Sequence, residues 1–117
     1  MLKGLGGLGG LGDMAKMMKA AQDMQARLGE VQEELARTVV LGEAGAGLVK
    51  ARMTAKGEVT GLDIDPSILV ASEKEVVEDL ILAAIKDGQM RATQRSQQEM
   101  AKMAAELGLP ADMKLPF

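Results

Sequence analysis

The chain has 117 residues and carries 17 acidic against 14 basic side chains, a formal net charge of -3 at pH 7. A chain of this length fits one domain. It contains no Cys, His, Trp or Tyr, which argues against an enzyme and against a cofactor or small-molecule site, because the usual general base, the commonest metal ligands and aromatic stacking platforms are missing.

Residues 1–12 read MLKGLGGLGGLG. So much glycine predicts a disordered tail, because glycine loses more backbone freedom on folding than any other residue. Gly4, Gly6 and Gly9 fit a G-x-G-x-x-G pattern, but no strand precedes them, so a nucleotide-binding loop is not predicted. No apolar run approaches the roughly 20 residues of a membrane span, and we expect a soluble cytoplasmic protein with no membrane partner.

Asp13 is a candidate N-cap for a helix over residues 14–36. Apolar residues follow it at alternating spacings of three and four, the heptad pattern of a helix that packs lengthwise against another helix. The apolar positions are Met14, Met17, Ala21, Met24, Leu28, Val31 and Leu35. At 1.5 Å per residue, this helix is roughly 35 Å long.

Three β-strands are predicted next, over residues 37–43, 48–55 and 58–65. Glycine-containing turns separate them, so the strands form a short antiparallel meander. The middle strand alternates apolar and polar residues, which predicts one buried face. Gly61 is a candidate β-bulge, and Pro66 ends the third strand.

Ser72 and Glu75 fit the S-x-x-E capping box of a second long helix. Gly88 interrupts its pattern at a cost of about 1 kcal/mol, and Gly108 is a signal for its end. As one helix, residues 73–107 measure roughly 52 Å, which exceeds the diameter of a compact globule of this size. The helix therefore either breaks near Gly88 or projects beyond the sheet.

These elements predict an α+β fold, an α-β-β-β-α meander sheet with long projecting helices. The single domain covers residues 13–108, between the tail over 1–12 and an irregular C-terminal tail over 109–117. A three-stranded sheet with two open edges is marginal alone. We therefore expect a homodimer, with the distal halves of the two helices packed antiparallel as an arm.

Charge is segregated along the sequence. Residues 14–27 and 88–104 each carry three cations against one acid, whereas residues 57–87 carry two cations against eight acids. A basic arm on an acidic body indicates a polyanionic partner, although a solvated charged surface also explains the pattern. The candidate binding residues are Lys16, Lys19, Arg27, Arg91, Arg95 and Lys102.

Further segments carry a family signal. They are the Gly-rich start, the Met- and Gln-rich helix over 14–36, GEAGAGLVKARMTAKGEV at 42–59, IDPSIL at 64–69, the acidic helix at 73–87 and LPADMKLPF at 109–117. In this order they resemble the YbaB/EbfC family of bacterial nucleoid-associated proteins. The resemblance implies a tweezers-like homodimer with helical arms projecting from a joint sheet. It also implies binding to double-stranded DNA through the first and last helices, with roles in nucleoid organisation and gene regulation. The six cations above are then candidate DNA-binding residues.

Two other functions stay open from the residues alone. The long helices also suit a protein-interaction adaptor that uses a coiled-coil arm. Asp63 and Asp65 are candidate Mg²⁺ ligands of a catalytic module, but solvated acids at a strand end explain them as well. We predict no metal site and no catalytic residue.

Overall fold

The computed structural model describes residues 3–108, with side chains described from residue 12 onward. Helix α1 spans Lys3–Arg37, strands β1, β2 and β3 span Val39–Ala44, Val49–Thr54 and Val59–Ile64, and helix α2 spans Lys74–Glu106. The predicted α+β fold with α-β-β-β-α order is confirmed. The C-terminal tail predicted over residues 109–117 lies outside the described residues.

Helix α1 begins earlier than predicted. Its backbone is helical from Lys3, ahead of the N-cap expected at Asp13 and within the segment expected to be disordered. Each residue added to an existing helix needs no new nucleation, so a helix extends into glycine-rich sequence more readily than it starts there. The predicted start at Asp13 is corrected, whereas the division of the chain into tail, domain and tail stays a prediction.

The sheet is an antiparallel meander in the order β1-β2-β3, with β2 in the centre. The buried face predicted for β2 is confirmed, because Val49, Ala51 and Met53 are fully buried. Between β2 and β3 the register shifts, since Arg52 lies opposite Gly61 and Met53 lies opposite Val59. This shift leaves Thr60 without a partner on β2, so a β-bulge is present, one residue before the predicted position at Gly61.

Helix α2 crosses strand β1 at a contact between two backbones. A Cβ atom on Gly42 would overlap the carbonyl oxygen of Ala84 and the backbone nitrogen of Gly88. Both glycines are buried, and α2 is continuous through Gly88. In a helix interior, glycine is about 1 kcal/mol less favourable than alanine. The close packing of α2 on the sheet offsets this cost. Of the two predicted alternatives, α2 therefore projects rather than breaks.

Beyond the sheet, α2 packs antiparallel against α1 and forms the helical arm that the sequence predicts. Val31 and Leu35 of α1 are buried against Met100 and Met103 of α2 and Ala55. The molecule is therefore elongated, with extents of 80 × 22 × 17 Å. Its radius of gyration is 22.4 Å, against about 13 Å for a compact chain of this length.

The antiparallel pairing covers only part of α1. Glu106 at the end of α2 lies beside Arg27 of α1. Residues 12–23 of α1, called the α1 tip below, are all exposed. At 1.5 Å per residue, the α1 tip extends roughly 18 Å.

The predicted capping box of α2 is wrong. Ser72 lies inside a 3-10 turn, Ala71–Glu73, and the residue at the N-cap, Glu73, receives no side-chain cap hydrogen bond. The chain instead enters α2 through backbone hydrogen bonds of the turn, including Glu73 N–H to the carbonyl oxygen of Val70 at 2.9 Å. The end predicted at Gly108 is confirmed, because Gly108 has φ 72° directly after the C-cap residue.

The glycine contact predicts a difference between two alanine substitutions. Gly42→Ala forces backbone against backbone and should lower the free energy of unfolding by about 3 kcal/mol. Gly88→Ala should cost much less, because its new methyl meets the flexible end of Met53 and alanine gains about 1 kcal/mol of helix propensity. Urea denaturation of both variants measures the difference, and equal destabilisation of the two would contradict the contact.

Candidate nucleic-acid interface

The α1 tip holds two of the six predicted cations. Lys16 and Lys19 are exposed, and neither makes an ion pair with any residue that the structure describes. At 100° per residue, both lie on the side of α1 opposite to Met14, Met17 and Met18. Two exposed ammonium groups that contact no described acid therefore lie on the part of α1 that projects beyond α2.

Arg27 lies where the tip meets the end of α2 and is held by two acids. Its guanidinium contacts Glu106 at 2.6 Å and Glu30 at 2.9 Å. Hydrogen bonds raise the pKa of Arg27 above its usual value, and the bond to Glu106 contributes more than the bond to Glu30. The two carboxylates offset its charge, so Arg27 joins α1 to α2 rather than presenting a free cation.

Arg91 and Arg95 lie beside the sheet, not at the end of the arm. With Gln94 and Gln98 they line a shallow groove along β1 next to Leu41. Their placement in a distal arm is corrected, because α2 crosses the sheet before it reaches α1. Arg91 Nε contacts Asp87 at 3.0 Å and Arg95 Nε contacts Glu99 at 3.3 Å, one helical turn away in each case.

Lys102 occupies the part of α2 that packs on α1. Its side chain is exposed. Like the two lysines of the tip, it makes no ion pair within residues 12–108. The six predicted residues thus divide into three lysines that make no ion pair with a described residue and three arginines that each contact at least one acid.

Asp87 is a residue that the sequence analysis missed. Its carboxylate accepts a hydrogen bond from Glu43 N–H at 2.9 Å and another from Arg91 Nε at 3.0 Å. Both hydrogen bonds lower the pKa of Asp87 below its usual value, and the bond from the Glu43 backbone contributes more than the bond from the Arg91 side chain. The spacing of Asp87 and Arg91 suggests their ion pair, but no local signal reveals the contact with Glu43. This contact fixes α2 to the free edge of β1.

The acids considered for Mg²⁺ have other partners. Asp63 pairs with Arg52 across the sheet. Asp65 accepts a hydrogen bond from Ser67 N–H at 2.8 Å, and hydrogen bonding by Ser67 lowers the pKa of Asp65. Among the described residues, no group of three or more Asp, Glu, His or Cys is arranged to hold a metal ion. Nor does that part of the chain include a helix long and apolar enough to cross a membrane.

Comparisons with known proteins concern the family and the fold of the chain. The model of the YbaB/EbfC DNA-binding family matches residues 10–107. A nucleoid-associated protein of Agrobacterium fabrum is 45% identical over 96 residues, which cover 82% of this chain and 90% of that protein. The crystal structure of an uncharacterised protein of Helicobacter pylori has a TM-score of 0.67 at 21% identity, and the match covers 76% of this chain and 94% of that one. The last similarity concerns the fold alone.

Proposed function

Because the chain belongs to the YbaB/EbfC DNA-binding family, we propose that it binds double-stranded DNA as a homodimer, without catalysing a reaction. The helical arms contact the duplex, and the protein acts in nucleoid organisation and gene regulation in the bacterial cytoplasm. The observation that carries the proposal is the pair of exposed lysines, Lys16 and Lys19, on a tip that projects beyond the rest of the arm.

Binding to phosphate suits these two lysines better than it suits the three arginines. A cation that neutralises a phosphate gains affinity by releasing counterions from DNA. Lys16 and Lys19 can do this without giving up a protein partner, whereas Arg27 would have to leave or share Glu106 and Glu30. Lys102 is a further candidate for phosphate binding, and Arg91 and Arg95 offer a second, partly neutralised region near β1.

Weak sequence preference follows from the same residues. Lysine presents a point charge on a flexible stem, which suits phosphate and carries little information about base identity. Insertion of an aromatic wedge is excluded for residues 1–116, because the single Phe is residue 117. With a formal charge of -3 per chain, the protein repels DNA at long range. Binding is therefore local to the tips and sensitive to salt.

We predict that Lys16→Gln combined with Lys19→Gln weakens binding to a random-sequence duplex. The slope of log affinity against log salt should shrink by about 0.9 for each phosphate that the double variant no longer neutralises. Fluorescence anisotropy over a salt series measures both effects.

The matched control is Lys74→Gln with Lys86→Gln, which removes the same charge from two exposed lysines of the acidic body. An equal decrease of affinity in both double variants would contradict a site at the tip, because it would show an effect of net charge alone.

The free edge of β1 supports the homodimer. Glu43 directs its N–H away from β2 toward Asp87, and directions alternate along an antiparallel strand. The N–H groups of Val39 and Leu41 therefore also face the free edge. Their side chains are 69% and 39% exposed. Pairing of this edge with a second copy would join two sheets and satisfy these groups.

We predict that Leu41→Pro halves the mass in solution from twice 12.3 kDa to 12.3 kDa, because proline removes an N–H that only a second copy uses. Leu62→Pro is the matched control. Leu62 is 40% exposed, and by the same alternation its N–H faces the free edge of β3. Light scattering distinguishes the two variants, and a dimer that survives Leu41→Pro would exclude this edge as the interface.

A further inference from the structure

A stripe of methionines on the α1 tip has no partner among the described residues. Met14, Met17 and Met18 are 59%, 70% and 62% exposed. Met14 and Met17 continue the alternating spacing of three and four whose later members, Val31 and Leu35, are buried against α2. Met18 lies one helical turn from Met14 on the same side of α1. The same seam thus changes from buried to exposed where α2 ends.

The surroundings of this stripe are nearly uncharged. Ala15, Ala20 and Gln22 lie on either side of the stripe on the helix surface. Among residues 12–23, Asp13 is the only charged residue next to the stripe. Two chains that each carry a formal charge of -3 can therefore approach here with little repulsion. Helices that meet along such a seam bury methionine against methionine, and the flexible thioether adapts to irregular gaps.

Other occupants fit the tip less well. DNA phosphates gain nothing from thioethers, and the cations that suit them lie on the opposite side of α1. A membrane-bound helix carries its cations beside the apolar side, where they reach the headgroups, whereas Lys16 and Lys19 point about 180° away from the methionines. Continuity of the stripe with the seam that packs α1 on α2 favours another helix of the same kind.

We propose that the α1 tips of two copies pack antiparallel through Met14, Met17 and Met18. The contact lies at the far end of the arm from the β1 edge, so it joins one homodimer to the next. It leaves Lys16 and Lys19 facing outward. Copies linked in this way present their free lysines in pairs, and a chain of dimers can follow a duplex. The contact itself requires neither DNA nor the sheet interface.

Disulfide cross-linking tests the contact, because the natural chain has no cysteine. Met14→Cys, Met17→Cys and Met18→Cys are made as three single-cysteine variants of the full chain. Ala15→Cys, at an exposed neighbouring position off the stripe, is the matched control. Purified proteins are oxidised without DNA, and covalent dimers are followed over time on denaturing gels.

At least one stripe variant should cross-link about tenfold faster than Ala15→Cys, because a disulfide needs Cβ atoms within about 4.5 Å. The difference should persist when Leu41→Pro is added, which separates the tip contact from the sheet dimer. If all three variants react as slowly as Ala15→Cys, the proposal is overturned. It is also overturned if they cross-link in cell extract only to a different protein, which would favour an adaptor. Neither result bears on DNA binding by Lys16 and Lys19.

Discussion

The close contact between Gly42 and Gly88 determines where the other parts of the molecule lie. It lets α2 cross β1 without a break and continue straight to α1, where Met100 and Met103 are buried. A side chain at Gly42 would push the helix off the strand. Because α2 ends at Glu106 and α1 reaches back to Lys3, the fold leaves the first part of α1 projecting alone.

This geometry also separates free cations from paired ones. Each of the three candidate arginines contacts an acid. Arg91 and Arg95 pair with an acid one turn away on α2, and Arg27 of α1 pairs with Glu106 of α2. On the α1 tip only Asp13 and Asp23 are acidic, and neither contacts Lys16 or Lys19 within ion-pair distance. The tip, with two lysines and two aspartates, has a formal charge of zero, but its two ammonium groups are exposed and contact no acid. Ammonium groups in this state can neutralise DNA phosphates.

Periodicity in the sequence predicted the elements well. Spacings of three and four located the two long helices, and alternation located the buried side of β2, because these patterns reflect local geometry. The capping box failed because Ser72 is used in a 3-10 turn instead. The predicted start of α1 was wrong because a high glycine content reflects the intrinsic preference of the segment alone. A helix that is already formed can extend into such a segment.

The six cations chosen from the sequence stay candidate DNA-binding residues. Summed charge could not show which of them were already paired. Arg91 with Asp87 and Arg95 with Glu99 are one turn apart, so their spacing held the signal. Arg27 and Glu106 are 79 positions apart, and only the antiparallel packing of the arm joins them. The position of Arg91 and Arg95 beside β1 depends on the path of α2 across the sheet, which local pattern does not encode.

The most direct test of the account is the chemical reactivity of each lysine with and without DNA. Exposed lysines are acetylated in the free protein and in the complex with a random-sequence duplex, and mass spectrometry reports each site. Lys16 and Lys19 should be protected by the duplex, while Lys74 and Lys86 react as in the free protein. Protection of Lys74 and Lys86 with Lys16 and Lys19 unchanged would contradict the central claim that the projecting tip of α1 binds DNA.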